Sequence, residues 1–237
     1  MENNNTPLIH ADGKIDIHRR KEKYDRLLHV IESDTGIISE NRILILQFLR
    51  DCTLGKTVIG SSKKRIGPAR CLKYLAILKR LSIEFGMSFS TVGQCEMESL
   101  IQRLESDQIR KTNGQMYSEA TKADIKKTIK KFWKWKDGNN RKYPELVEWI
   151  DSCEPMKEVP ARNRSEVELM IESTANLRDK ALLMILFDSG ARVEELLNVR
   201  LKREHVFWKE ETGCYMMRLE FSKTKPRTIS LPLSTDL

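Results

Sequence analysis

The chain has 237 residues, 40% of them hydrophobic, with few glycines and prolines, which excludes a disordered chain and leaves room for two modest domains. Its formal net charge of +8 points to an anionic partner, most often nucleic acid for a soluble basic protein. Five scattered cysteines without a Cys-x-x-Cys pair argue against a disulfide framework or a zinc site, and no signal peptide or membrane span is recognisable, so we expect reduced core thiols in a cytoplasmic protein.

The first 37 residues are predicted to form a polar, basic N-terminal arm. Between Ile17 and Ser33 the apolar residues fall on one helical face, which predicts a helix there. Basic residues 18–21 stand at its head. They are either a solvated helix end or an arm that follows DNA.

A second helix is predicted from Ser39, as its N-cap, to about Leu54. Its predicted buried stripe consists of Ile43, Leu46, Phe48 and Leu49. The helix should end at Gly55, because glycine is the usual residue just past a helix end.

Segment 56–80 is the most basic part of the chain. It holds eight lysines and arginines and no acid, so its charge equals that of the whole chain. A glycine- and serine-containing loop leads to a helix that starts at Pro68. Basic side chains on this loop and helix suit phosphate contacts, because each neutralised phosphate releases counterions. The candidates are Lys63, Lys64, Arg65, Arg70 and Lys73.

Two further helices are predicted, from about Gln94 to Ser106 and from Ser118 to about Lys136. The first is acidic and is expected to lie away from DNA. The second carries six lysines between residues 122 and 134 against one acid, Asp124, so a polyanion would relieve their repulsion; the alternative is a solvated lysine face. The six candidates are Lys122, Lys126, Lys127, Lys130, Lys131 and Lys134, with Lys122, Lys126 and Lys130 on one stripe.

Residues 141–163 are predicted to be a linker with a short amphipathic piece at 144–150. Beyond it, Ser165 to Glu168 predicts a capping box that opens a helix. The apolar run from Arg178 to Phe187 predicts a buried helix. Glu194 to Leu201 restarts a helical period.

Three β-type runs end the chain and predict an antiparallel meander. They are His205–Trp208, Cys214–Phe221 and Arg227–Leu233. The last two flank a short basic turn at 222–226, so lysines should project from a hairpin tip.

Arg192 is the strongest candidate for a functional residue. It follows Ser189-Gly190, which supplies the left-handed stop that the preceding helix needs. A guanidinium held at such a junction suits bidentate capture of an oxyanion. The alternative is a plain exposed charge at a helix start.

These two motifs resemble those of the tyrosine recombinase, or phage integrase, family, most closely its archaeal members. Gly190-Ala191-Arg192-Val193-Glu194-Glu195-Leu196 is similar to the family's Gly-x-Arg-x-x-Glu-Leu signature, and Ser222-Lys223-Thr224 is similar to its hairpin lysine motif. The resemblance implies a mainly α fold with a small antiparallel β-meander. It places a SAM-like four-helix core-binding domain at 38–140, with its second and fourth helices toward the DNA major groove, and a partial catalytic domain at 164–237.

In this family a tyrosine hydroxyl attacks a DNA phosphodiester and forms a phosphotyrosyl bond during DNA integration and recombination. The resemblance implies that Arg192 is the first arginine of the phosphate clamp and Lys223 the lysine that protonates the 5′-oxygen, with Lys225 as the alternative. Glu195 would orient the surroundings of Arg192. No cofactor and no metal are implied. The implied partner is double-stranded DNA, bound by one chain or by a homo-oligomer.

The family's remaining machinery is missing from these residues. None of the four histidines has an arginine three residues later, four of the five tyrosines precede Arg192, and Tyr215 lies in a predicted strand. We therefore expect the N-terminal portion of a longer integrase or a decayed copy, which binds DNA without cleaving it. The alternatives are a non-enzymatic DNA-binding regulator that occupies an integrase site, and an RNA-binding or scaffold protein in which Arg192 and Lys223 are incidental.

Overall fold

A computed structural model describes residues 8–9, 15–59, 65–154, 160–199, 205–222, 225–232 and 234. The chain divides into two compact units. Arg19–Lys157 form the first, which we call the helical unit, and Met1–His18 with Glu158–Leu237 form the second, which we call the mixed unit. In the part of the chain that is described, no helix combines the length and apolar character needed to cross a bilayer.

The helical unit is built from helices that the periodicity of its apolar residues predicts. They are α1 (Arg20–Glu32), α2 (Ser39–Thr53), α3 (Pro68–Phe85), α4 (Gln94–Glu105), α5 (Glu119–Lys136) and α6 (Glu145–Glu148). Helix α1 packs against α3 and α2, and α5 packs against α2, α3 and α6. Tyr24 and Ile31 of α1 lie in the same core as the side chains of α2 to α5. That core holds the lysine-bearing helix α5 in place.

Aromatic rings fill the centre of the helical unit. Neighbouring ring centroids lie between 5.1 and 6.2 Å apart, mostly in edge-to-face or tilted arrangements. The cluster consists of Phe48, Phe85, Phe89, Phe132, Trp133 and Trp135. Phe132 contacts Phe48 and Phe89, each with centroids 5.3 Å apart, and it is fully buried.

The buried face of α2 differs from its prediction. Ile43 is 63% exposed, whereas the polar side chain of Asn41 is fully buried. The amide of Asn41 donates to Ser82 Oγ and to the carbonyl oxygen of Met87, each at 2.9 Å, and its Oδ1 accepts from the backbone N–H of Phe89 at 2.6 Å. Because both ends of the amide are bonded, burial is tolerated. The spacing of apolar residues does not reveal that Asn41 is buried to bond the loop at Met87 and Phe89.

Replacing Asn41 with alanine should lower the free energy of unfolding of the helical unit by about 2–4 kcal/mol, because it leaves the buried N–H of Phe89 and the half-buried carbonyl of Met87 without their partner. Urea unfolding followed by tryptophan fluorescence measures the change. Gln47→Ala, on the exposed side of the same helix, is the control and should stay within about 0.5 kcal/mol of the wild type. Equal effects of the two substitutions would contradict the role given to Asn41.

The mixed unit combines helices with a three-stranded sheet. Its elements are β1 (Leu8–Ile9), β2 (Ile15–Asp16), α7 (Arg164–Ser173), α8 (Leu177–Ser189), α9 (Val193–Leu196), β3 (Val206–Lys209), β4 (Cys214–Leu219) and β5 (Arg227–Leu231). Strands β3, β4 and β5 pair antiparallel in that order, with Met217 opposite both Val206 and Ile229. The predicted class, mainly helical with a small antiparallel meander, is therefore confirmed.

An unpredicted N-terminal hairpin belongs to the mixed unit. Strands β1 and β2 pair antiparallel, and the backbone N–H of Ile15 donates to Asn198 Oδ1 at 2.7 Å. The two partners are 183 positions apart in the chain. Nothing in the local pattern of either segment indicates such a contact.

The burial predicted for the run from Arg178 to Phe187 is wrong. Helix α8 forms there, but none of its residues is buried, and Leu177 is 74% exposed. Within the mixed unit α8 packs against α7 and β5. Among the described residues, α7 and β5 do not enclose a helix that is apolar on all sides, so its side chains are half-buried or exposed.

Two local predictions are also wrong. The N-cap of α7 is Asn163, not Ser165: its Oδ1 accepts from the backbone N–H of Glu166 at 2.9 Å, and the Glu166 carboxylate accepts from the N–H of Asn163 at 3.0 Å. The capping box is thus shifted by two residues, because asparagine caps as well as serine does. Cys95 and Cys153 are exposed and are not core thiols, whereas the other three cysteines are buried.

The helix predicted from Glu194 to Leu201 is shorter than expected. Helix α9 ends at Leu196, and residues 200–204 lie outside the described chain. The side-chain amide of Asn198 donates to the carbonyl oxygen of Glu194 at 2.8 Å. This bond takes up a carbonyl that a continuing helix would use, and such local side-chain bonds compete with helix propagation.

Candidate phosphate site and nucleic-acid interface

Arg192 lies at the tight junction that the sequence predicts. Gly190 ends α8 with φ 55°, so the predicted left-handed stop is confirmed. Arg192 then adopts an extended backbone, with φ −72° and ψ 145°, as the residue that caps α9. Its side chain is 60% exposed. The junction therefore presents a guanidinium at the surface from a well-defined backbone position.

The buried carboxylate of Glu195 binds Arg192. Its side chain is only 5% exposed, and its Oε1 accepts from Arg192 Nη1 at 2.9 Å. Its Oε2 accepts from the backbone N–H of Arg192 at 3.2 Å, as a helix residue at the third position does in a capping box. One carboxylate thus fixes both the backbone and the guanidinium of Arg192.

The hairpin adds two more groups to the same carboxylate. Ser222 Oγ donates to Glu195 Oε1 at 3.2 Å, and Arg227 Nη2 donates to Glu195 Oε2 at 3.0 Å. Arg227 Nη1 also donates to Ser222 Oγ at 2.8 Å. We call Arg192, Glu195, Ser222 and Arg227 the Glu195 cluster. With two guanidinium groups and one carboxylate it carries a net positive charge, which suits an anion.

Sequence reasoning missed Arg227, although a signal was present. Arg227 pairs with Leu219 and shares the two-residue period of Ile229 and Leu231, which places all three on the same side of the sheet. Leu219 and Leu231 are buried, and Ile229 packs with them. An arginine at a position of this kind needs an acidic partner nearby.

Of the two hairpin lysines, one lies among the described residues. Lys223 lies outside the described residues, and Lys225 is exposed. The assignment of either one as a proton donor stays a prediction. Tyr215 lies on β4 with its ring against Trp208, at 5.3 Å between centroids, so its contact is a cross-strand pair.

One flank of α5 is already neutralised. Lys122 bonds to Asp107 at 2.9 Å and to Glu119 at 3.0 Å, and these carboxylates raise the pKa of Lys122 above its ordinary value. Lys126 bonds to Glu105 at 2.7 Å. The inference that these two lysines repel their neighbours for want of acids is therefore wrong, because it counted acids only between residues 122 and 134 and missed Glu119 in the first turn of α5 and the acids at and just after the end of α4.

Lys130 follows them on the same stripe and also has partners inside the unit. Its Nζ donates to the carbonyl oxygens of Glu148 and Ile150, at 3.1 and 2.8 Å. Lys130 and Lys134 both lie over the ring of Tyr143, with Nζ 5.0 and 4.5 Å from its centroid. These contacts leave the stripe of Lys122, Lys126 and Lys130 poorly suited to a phosphate backbone.

The opposite flank of α5 meets the basic segment. Asp124 pairs with Lys73 of α3, and Lys131 donates to the carbonyl oxygen of Thr57. These two contacts connect the middle of α5 with segment 56–73. Burial lowers the pKa of Lys131 below its ordinary value. Lys127 lies between Asp124 and Lys131 along the helix and is exposed.

This arrangement forms a surface that we call the basic face. It consists of Arg70, Lys73 and Lys127, which are exposed; Lys131 lies at its edge with its ammonium bonded to Thr57, and Lys134 lies over Tyr143. Arg70 precedes Lys73 by one helical turn and is exposed. Lys73 is 44% exposed, and its pair with Asp124 is a surface pair, which a stronger anion can replace at little cost. Arg65 is exposed and precedes Arg70 by five positions in the chain. Lys63 and Lys64 lie outside the described residues.

The structure thus brings together Arg192 with Glu195 in the mixed unit, and Lys73 with the Lys127 flank of α5 in the helical unit. Comparison of the chain with protein-family models finds no match, and neither do comparisons with curated proteins and with solved structures.

Proposed function

We propose that this protein binds double-stranded DNA and engages one phosphodiester with Arg192, as a chain of the tyrosine recombinase type. The helical unit corresponds in this proposal to the SAM-like core-binding domain, and the mixed unit to part of the catalytic domain. The basic face supplies phosphate contacts that depend little on base sequence. Arg192 supplies a more specific contact, because a guanidinium can bind two phosphate oxygens at once.

The observation that carries the proposal is the contrast within the Arg192–Glu195 pair. The carboxylate is 5% exposed while the guanidinium is 60% exposed. A pair made only for stability would gain little by leaving its cation in water. A buried anchor with an exposed cation instead gives a preorganised site for an anion, which is what stabilisation of a phosphoryl-transfer transition state requires.

The location of the basic side chains supports the DNA part of the proposal. Lys127 and Lys131 lie one helical turn apart on α5, and Lys73 reaches Asp124 beside them from α3. Phosphates along one strand can therefore be followed by side chains from two adjacent helices. The lysines of the other flank, Lys122 and Lys126, take no part, since acids of the helical unit already pair with them.

Equilibrium binding of the full chain to a short random duplex over a salt series tests the proposal. We expect affinity to fall steeply as salt rises, with a slope of log affinity against log salt of about −4 for four or five phosphate contacts. Unlabelled duplex DNA should compete at least about tenfold better than an RNA duplex of equal length, because A-form RNA presents its phosphates with a different groove geometry. A flat salt response would contradict the proposal, and better competition by RNA would favour an RNA-binding protein.

These 237 residues should not cleave the DNA that they bind. On a nicked suicide duplex, whose released fragment diffuses away, we expect no covalent protein–DNA complex after denaturing electrophoresis. The reason is that Tyr215 is held in the sheet against Trp208 and the other four tyrosines all precede Arg192. A covalent band that disappears in Tyr215→Phe would show that the nucleophile had been misjudged.

A further inference from the structure

We infer that Arg227 is a positioning residue for Arg192: it holds the Glu195 carboxylate in the orientation that aims the Arg192 guanidinium at a bound phosphate. This inference rests on the proposed function and adds a residue that the resemblance to the recombinase family does not supply. It is carried by the hydrogen bonds of the Glu195 cluster.

Arg227, Ser222 and Glu195 are joined by three hydrogen bonds. Arg227 uses its two terminal nitrogens on different partners, Nη2 on Glu195 Oε2 at 3.0 Å and Nη1 on Ser222 Oγ at 2.8 Å. Ser222 in turn donates to Glu195 Oε1 at 3.2 Å. The guanidinium, the hydroxyl and the carboxylate therefore close a ring of hydrogen bonds. A ring of this kind fixes the rotation of the carboxylate, which a single bond would not do.

Each oxygen of the Glu195 carboxylate accepts one hydrogen bond from Arg192 and one from the hairpin. Glu195 Oε1 accepts from both Ser222 and Arg192 Nη1, while Oε2 accepts from Arg227 and from the backbone N–H of Arg192. Rotation of the carboxylate would break bonds on both sides at once. With Arg227 in place, the Nη1 of Arg192 stays 2.9 Å from Oε1 and the rest of its guanidinium is directed outward.

The two arginines of the Glu195 cluster differ in exposure and in their partners. Arg227 is 37% exposed against 60% for Arg192, and both of its terminal nitrogens are engaged inside the cluster. It is therefore less available to an outside anion. Arg227 also begins β5, so it connects the hairpin with the start of α9. We assign phosphate contact to Arg192 and orientation to Arg227.

A double-mutant cycle on the full chain, read out as affinity for the short duplex, tests the inference. The variants are Arg192→Gln, Arg227→Gln, the double variant and Arg227→Lys. Each glutamine single variant should weaken binding by about tenfold, the size expected for loss of one charge-assisted phosphate contact. The double variant should bind no more weakly than Arg192→Gln alone, because orientation has no value once the oriented group is gone.

Arg227→Lys distinguishes orientation from charge. Lysine keeps the positive charge but cannot bond Ser222 and Glu195 in the fixed fork of a guanidinium. We expect it to bind DNA as weakly as Arg227→Gln. Full recovery of affinity by Arg227→Lys would overturn the inference in favour of a simple electrostatic effect.

Three more outcomes have defined meanings. Independent effects that multiply in the double variant would overturn the inference, since they would give Arg227 its own contact or a general effect on folding; thermal unfolding of each variant identifies the latter. An effect of Arg192→Gln without an effect of Arg227→Gln would overturn the inference and leave the proposed function intact. No effect of Arg192→Gln on a chain that still binds DNA would overturn the proposed phosphate site itself.

Discussion

Replacing Arg70, Lys73 and Lys127 together with glutamine should weaken duplex binding by roughly 100-fold or more at low salt, because each loss removes one charge-assisted phosphate contact. The slope of log affinity against log salt should become shallower by about 3, one for each contact. All three side chains are exposed, and none lies in the hydrophobic core, so folding should be unaffected. Fluorescence anisotropy with a labelled duplex measures both quantities.

The matched control removes the same charge outside the basic face. Arg110 and Lys111 lie in the loop that follows α4, and Lys126 lies on the acid-paired flank of α5, where it bonds Glu105. Their replacement with glutamine should change affinity by less than about fivefold, through long-range electrostatics alone. Equal losses in the two triple variants would mean that DNA responds to net charge and not to the basic face.

Phe132→Ala should lower the free energy of unfolding of the helical unit by about 3–5 kcal/mol, the usual cost of truncating a buried aromatic residue. Phe132 is fully buried and lies edge-on to Phe48 and Trp133, with ring centroids 5.3 and 5.1 Å away. A loss of this size is a large part of the stability of an ordinary domain. Urea unfolding monitored by far-ultraviolet circular dichroism measures it.

Ile43→Ala is the companion substitution, because Ile43 is an apolar residue of α2 that is 63% exposed. It should alter the free energy of unfolding by less than about 0.5 kcal/mol. If Ile43→Ala proved as costly as Phe132→Ala, the core would be centred on the face of α2 that periodicity predicts and not on the observed one.

Local features of this fold are predictable from the sequence because their causes are local. The apolar faces of α4 and α5 follow from spacing alone, and Gly190 stops α8 because it adopts a left-handed conformation that other residues avoid. The meander follows from alternating runs around short turns. Arg192 is identified in the same way, from its position directly after the helix stop.

Features that depend on a distant partner are not predictable in this way. Asn41 is buried because a loop more than forty residues away needs its amide, and the charge of Lys122 is partly balanced by Asp107, which reaches it from outside its helix. Arg227 joins the Glu195 cluster through a carboxylate 32 positions earlier. Each of these contacts is decided by packing, which a single-sequence pattern does not encode.

The exposure of α8 also depends on packing and does not follow from its sequence. A run that is apolar on all sides predicts a helix surrounded by protein. The helix is present, but α7 and β5 leave Leu177 and Phe187 exposed, at 74% and 39%. The composition of a helix therefore indicates which side chains could be buried, while the elements packed against the helix determine which of them are.

The most direct test of the proposed function follows the side chain of Arg192 itself while DNA is added. In a nitrogen-15 spectrum of the full chain, the Nε–H signal of Arg192, assigned with Arg192→Lys, should shift as duplex DNA is titrated and reach its end point together with the backbone signals of Lys127 and Lys131. If the α5 signals shift to saturation while the Arg192 signal stays in place, Arg192 does not bind a DNA phosphate, and the phosphate site at the α8–α9 junction is refuted.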